Sequence, residues 1–215
     1  MNMHGRNDSP TRLAGPLVYG EQRRTAGRVA RSGAVLSAVG RAALICIALA
    51  ISACAVGCCN GEMKPFDVSV SLHDSLKDTR GVLPAVEVDV VAVNNADLPT
   101  WEQKSMTEYF SPGDTLRAAA DKYVFRLGED HKSETLSKDG AAGKKLWDDW
   151  KKQGAMNLLI LSSYPSPQPD LPGDQDPRRR TLPLDCARWG DEKELKFQIK
   201  SSGLTVLTPP KPPKQ

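Results

Sequence analysis

The chain has 215 residues, of which 40% are hydrophobic and 26% charged, enough apolar material for one ordinary globular core. Its net charge of +3 is uneven: residues 1–53 hold seven Arg and no Lys against Asp8 and Glu21, giving +5, and residues 54–215 hold 22 cations against 24 acids, giving −2. That split excludes a strongly basic nucleic-acid binder, and a single long apolar run excludes a multi-pass membrane protein.

Residues 1–41 are rich in Gly, Ser and Arg without a sustained apolar period, so they are expected to be disordered. A translation start nearer Val29 or Val35 would explain so long a leader, and the Arg23-Arg24 pair fits a twin-arginine signal poorly. The apolar run Ala42–Gly57 is 16 residues, short of the ~20 that cross a hydrocarbon core. Arginines before it and small residues at its end give it the form of a signal peptide. The end, Ile51-Ser52-Ala53-Cys54, resembles the bacterial lipobox. There a thiol accepts diacylglycerol, small residues let the peptide enter the peptidase, and the freed amine takes a further acyl chain. Ala55-Val56-Gly57-Cys58 is a second candidate, with Ala poorer than Ile at its first position. An uncleaved signal anchor is the competing reading. The covalent diacylglycerol and acyl chain would be the only non-protein groups; no other cofactor and no metal is expected. With Cys54 lipidated, Cys58, Cys59 and Cys186 remain; with Cys58 lipidated, Cys59 and Cys186 could pair.

Residues 54–65 read as a tether, reaching ~16–19 Å as a flexible chain of about ten residues. Phe66, Val68, Val70 and Leu72 alternate with polar residues, a half-buried strand. His73 to Gly81 is a polar loop, and Leu83–Val93 a second strand with Val86, Val88 and Val90 on one face. Thr100 and Gln103 offer a capping box for a helix to about Phe110. Ser111-Pro112-Gly113 is a turn, residues 115–121 hold one or two helical turns, and Tyr123, Phe125 and Leu127 form a short strand. A mobile polar stretch is expected from Gly128 to Gly143, then a helix over Lys144–Lys152 and a buried strand over Met156–Tyr164. Residues 165–180, Pro-rich and ending in Arg178-Arg179-Arg180, read as a long exposed loop. Strands at Thr181–Trp189, Leu195–Lys200 and Leu204–Leu207 follow, and residues 209–215 read as a disordered Pro/Lys tail. The fold class is mainly β: a sandwich of about seven strands with two short helical insertions, one domain over 66–208.

Chemistry-bearing residues are sparse. His73 adjoins Asp74 in a polar loop with Ser71 and Ser75 nearby, but a catalytic triad needs distant residues in one geometry, and no Gly-x-Ser-x-Gly elbow exists. Glu129-Asp130-His131 reads as a solvated face rather than a metal site. Trp147 and Trp150 at helical spacing could stack on sugar, though such a pair more often docks a helix onto a sheet. The Arg triplet reads as a solvated basic loop.

The order of these segments is similar to that of the outer-membrane lipoproteins of type VI secretion systems, the TssJ/SciN/VasD family. The resemblance covers about residues 66–207. It starts with the lipobox, the first alternating strand and the loop ending in Gly81, followed by the Pro-led strand Leu83-Pro84-Ala85-Val86-Glu87-Val88. It continues through the aromatic segment Trp101–Phe110, then Arg126-Leu127-Gly128-Glu129 and Leu158–Tyr164. Trp189 stands where the family often carries Trp-Arg, but Gly190 follows, and the Pro-rich 165–180 segment departs from the compact family form. The resemblance implies a transthyretin-like sandwich, anchored by lipid in the outer membrane and facing the periplasm. It implies a non-enzymatic role, holding a periplasmic protein partner of the TssM kind. By position it implies a partner loop of His73, Asp74, Ser75, Leu76, Lys77, Asp78, Thr79 and Arg80. A glycan-binding module and a hydrolase are the alternatives.

Overall fold

The computed structural model describes residues 61–213. The leader, the tether as far as Asn60, and both candidate lipidation residues, Cys54 and Cys58, lie outside the described residues. Two four-stranded sheets pack face to face. The first has the order β4-β1-β7-β8 and the second β3-β2-β5-β6. Their strands are β1 (Asp67–Leu72), β2 (Val86–Val93), β3 (Lys122–Leu127), β4 (Ser133–Leu136), β5 (Asn157–Ser162), β6 (Arg179–Pro183), β7 (Glu194–Lys200) and β8 (Gly203–Val206). Only β1 and β7 run parallel; every other pair is antiparallel.

The alternation read in β1 does what period two requires. Val68, Val70 and Leu72 point inward from the first sheet, joined by Phe197 and Ile199 of β7, and meet Val88, Val90, Leu158 and Ile160 of the second. The outward faces differ. Those of β2 and β5 carry Val91, Val93, Leu159 and Leu161, which Trp101, Met106 and Tyr109 cover as a second apolar cluster. The covering side chains come from two short helices, α1 (Leu98–Gln103) and α2 (Met106–Tyr109), with α3 (Thr115–Ala119) beyond them.

A longer helix, α4 (Ala141–Lys152), drives Trp147 and Trp150 into the main core. Trp147 meets Phe66 edge-on at 6.4 Å and Trp150 at 4.9 Å. The Trp150 indole N–H donates to the Asp121 carbonyl at 2.9 Å. The pair therefore docks the helix, and no sugar-stacking face is left on it.

Five sequence expectations are corrected. First, the described residues form eight strands and four α-helices, not about seven and two. The extra strand, β4, lies inside the stretch expected to be mobile. Leu136 is its one buried side chain, so no alternation marks it, and its register is held by pairing with β1 and by Ser69–Thr135 hydroxyl contact at 2.7 Å. Second, Thr100 is not a cap. Pro99 sits in the first turn of α1, Asp97 flanks it, and Lys104 leaves the helical region at ψ 125. Ser105 then caps α2, accepting from the Glu108 N–H at 3.1 Å at the Ser-x-x-Glu spacing. Third, residues 165–180 are not a loop exposed throughout, because Asp176, Arg178 and Arg179 are buried. Fourth, the strand expected over Thr181–Trp189 begins earlier and ends sooner, at Pro183. Fifth, beyond β8, Leu207 donates its N–H to Lys196 and Lys211 donates its own to Arg188, so the chain is held at Lys211, within the tail expected to be disordered.

Candidate functional site

The domain's two ends are set by β1. The chain enters beside Met63, which bridges to Asp185, and the Lys64 N–H donates to the Leu184 carbonyl at 3.0 Å. Six residues of β1 at about 3.3 Å each then carry it some 20 Å to His73 at the other end. The segment 73–82 is therefore displayed at the end of the sandwich opposite the point where the chain enters.

That segment is polar but built. His73 donates its N–H to Ile199 of β7 at 2.8 Å, and its Nδ1 accepts from the Ser75 N–H at 3.0 Å, capping a single 3-10 turn over Asp74–Leu76. Leu76 packs partly against the core from that turn. The Asp78 carboxylate is the node of the rest. It accepts from the Arg80 N–H at 2.9 Å, from the Val82 N–H at 3.0 Å and from two guanidinium nitrogens of Arg80 at 2.9 and 3.0 Å. Gly81 turns the chain at φ +78, a conformation a side chain resists. Asp78-Thr79-Arg80-Gly81 is thus an Asp-headed turn of a kind the residue types announce.

Two neighbouring turns support it. Ser201, in the β7–β8 turn, donates its N–H to Ser75 Oγ at 3.1 Å. Glu129, in the β3–β4 turn, accepts from the Leu83 N–H at 2.8 Å and pairs with Lys132 at 3.2 Å. The Lys77–Asp74 pair closes at 2.9 Å. Lys77 holds the Asp74 carboxyl below its ordinary range, and Asp74 raises Lys77 in turn. The Val82 N–H, then Arg80, does the same to Asp78, and the Leu83 N–H, then Lys132, to Glu129. The result is a surface of locally paired charges around Val82, whose relative exposure of 44% makes it one of two large apolar residues exposed in the described chain. A preformed surface of this kind loses little conformational freedom on meeting a partner.

Neither described histidine is brought together with a nucleophile and an acid. The bond of His73 serves the turn; His131 is exposed and sits 3.4 Å from Glu134. Glu134 also accepts from the Tyr123 hydroxyl at 2.7 Å, and that bond, with burial, pushes the phenol up to about 12. Among the described residues no group of three or more His, Cys, Asp or Glu could hold a metal, and no helix is long and apolar enough to cross a membrane. Cys186 is buried; the other cysteines lie outside the described residues.

Sequence reading missed two buried polar networks, both structural. In one, Asp89 is fully buried and accepts from the Tyr109 hydroxyl at 3.0 Å and from Arg117 at 2.8 and 3.1 Å. Arg117 also bonds Glu87 at 2.7 Å and lies 4.7 Å above the Phe110 ring. Burial, then Asp89, pushes the Tyr109 phenol far up. In the other, the Arg triplet is a clamp. Arg179 donates to the carbonyls of Trp101, Glu102 and Lys104, closing the end of α1, and burial pulls its guanidinium below the usual Arg range. Arg178 pairs with Asp176 and Asp170, and Asp170 accepts from Ser105 and Thr107 at the start of α2. Burial works against the Asp170 anion, yet these donors hold its carboxyl far below the usual range.

No family model and no curated protein sequence matches the chain. Among solved structures its fold is similar to a chain of the type VI secretion TssM C-terminal domain structure from EAEC, at 10% identity, covering 66% of this chain and 99% of that one, TM-score 0.45. It is also similar to Serratia marcescens Lip, a membrane-bound component of the type VI secretion system, at 15% identity over 66% and 96% of the two chains, TM-score 0.41. The Pseudomonas aeruginosa type VI lipoprotein TssJ1 aligns at 14% identity over 70% and 100%, TM-score 0.38.

Proposed function

We propose that this chain is a lipid-anchored, non-catalytic envelope protein that holds a periplasmic partner of the TssM kind beneath the outer membrane of a type VI secretion system. Cys54 is the anchor in this reading, with Cys58 as the alternative. The segment His73–Arg80, extended to Val82, is the partner surface, and the sandwich, transthyretin-like in this reading, is the rigid spacer between the two. The observation that carries the proposal is polarity along β1. The described chain enters the domain at one end, near Met63 and Lys64, and a preformed, charge-paired loop with an exposed valine stands at the other. The sequence resemblance supplies the system and the partner class.

The test has two arms. Metabolic labelling with a clickable fatty acid should mark the full chain and Cys58→Ser but not Cys54→Ser; label on none of them removes the anchor. Binding to the periplasmic domain of a TssM-type protein should weaken about tenfold, ~1.4 kcal/mol, for Val82→Asp with Asp78→Ala. Unchanged binding by that pair would move the partner surface elsewhere.

A further inference from the structure

The second sheet ends at β3, which pairs with β2 from Leu127 opposite Val86 to Lys122 opposite Val91. Among the described residues no backbone hydrogen bond outside that ladder reaches Lys122–Leu127, so the other side of β3 is an open edge. On its outward face Lys122, Val124 and Arg126 follow one another at every second position. A cleft of about 540 Å³ runs beside them, walled by Phe110, Pro112 and Arg117.

The charges in that cleft do not balance. Arg117, Lys122 and Arg126 are three cations. Asp89 is buried and taken up by Arg117 and Tyr109. Glu87 accepts from Arg117 at 2.7 Å and from Arg126 at 3.2 Å. Lys122 gives its ammonium to the Arg117 carbonyl and has no carboxylate partner among the described residues. Asp114, also in the wall, is paired with Lys104 at 2.8 Å. Three cations thus share two carboxylates, and Arg126 is 74% exposed. Residues 54–215 as a whole, this edge included, carry a net −2, so the edge is a local positive exception.

We infer that the outer edge of β3 is a docking edge for an extended acidic segment of a partner protein, which adds to the sheet as a fifth strand. Its backbone bonds β3, two acids four positions apart meet Lys122 and Arg126, and an apolar residue midway between them on the same face covers Val124. A second copy of this chain is the wrong occupant. Antiparallel self-pairing about Val124 sets Lys122 opposite Arg126, and parallel pairing sets each cation against its like; both repel. This edge is separate from the 73–82 surface and does not depend on the type VI reading.

The probe is an acetylated Glu–Val peptide of sequence TETVTET, whose two Glu and central Val share one face, with the Lys–Val peptide TKTVTKT as its control, added to the full-length chain in detergent. The Glu–Val peptide should slow amide exchange in Lys122–Leu127, and the Lys–Val peptide should not. Lys122→Glu with Arg126→Glu should weaken binding roughly tenfold, as two lost cross-strand charge pairs imply. Lys122→Gln with Arg126→Gln, which adds no repulsion and guards against misfolding, should weaken it less. Equal protection by both peptides, protection elsewhere, or none would overturn the inference. Protection of β3 that rises with protein concentration before any peptide is added would overturn it in favour of a self-pairing edge.

Discussion

On β1 and β7 the outward positions are Ser69, Ser71, Lys196 and Gln198, half-buried or exposed; on β2 and β5 they are Val91, Val93, Leu159 and Leu161, all buried beneath α1 and α2. The two sheets share one core yet follow different rules. The first is a one-faced sheet and writes itself as alternation. The second is buried on both faces at β2 and β5, though not at β3, and writes itself there as a nearly unbroken apolar run. The fully buried charge in that run is Asp89, which a covering element must then satisfy. Arg117 and Tyr109 do so from the helical segment, so the cover is specified by a charge as well as by apolar area.

The largest expected break of this contrast is therefore at Arg117. Arg117→Met keeps the bulk but leaves Asp89 with one phenol donor in a fully buried site. A loss of about 3–5 kcal/mol is expected in denaturant unfolding, typical of a buried charge deprived of its partner. A paired change, Asp89→Leu with Arg117→Met, should recover most of it, because the penalty belongs to the orphaned charge. Next comes packing. Leu159→Ala, on the covered face, should cost about 3 kcal/mol, as a core leucine does, although it points away from the main core. Thr135→Val, on the uncovered face of the first sheet, should stay within about 0.5 kcal/mol. Equal effects at the two positions would mean that the helices are not a second core.

What the sequence made legible follows the same division. β1, β3 and β7 announce themselves by period two, and β2 and β5 by length and branched residues. β4 is silent because Leu136 is its only buried side chain, and its pairing is decided by β1 some seventy residues earlier. The α1–α2 break is hidden because Thr100 and Gln103 match a capping template by spacing, whereas the chain has already started at Asp97 with Pro99 in the first turn. The Arg triplet is plain as charge and opaque as structure. What buries Arg179 is a set of carbonyls more than seventy positions away, and no local pattern encodes that. At the candidate surface, Asp78 and Gly81 declare a turn by type, but the exposure of Val82 and the support from Glu129 and Ser201 are tertiary facts.

The smallest expected effect concerns how the cover is fastened. Asp170 accepts from Ser105, Thr107 and Arg178, and Asp176 from Arg178 and the Leu171 N–H, so Asp170 ties the Pro-rich segment to α2 while Arg178, held by Asp176, braces it from within the segment. Both carboxyls titrate below their ordinary range in the fold; burial opposes each anion, and the donors outweigh it. The native state therefore binds fewer protons than the unfolded chain as the medium is acidified. The stabilisation is fully present above the unfolded value near pH 4 and is lost as pH falls through the lower folded values. Asp170→Asn should cost about 1–2 kcal/mol at neutral pH and flatten the acid side of the stability curve below about pH 4. Thr135→Val alone, which removes one hydroxyl of the uncovered face and leaves the Ser69 bond to the Glu194 carboxylate in place, should leave that slope as it was. If Asp170→Asn leaves the acid slope unchanged, the strap is held by its prolines and the Arg179 carbonyl clamp, and the two sheets differ in packing alone.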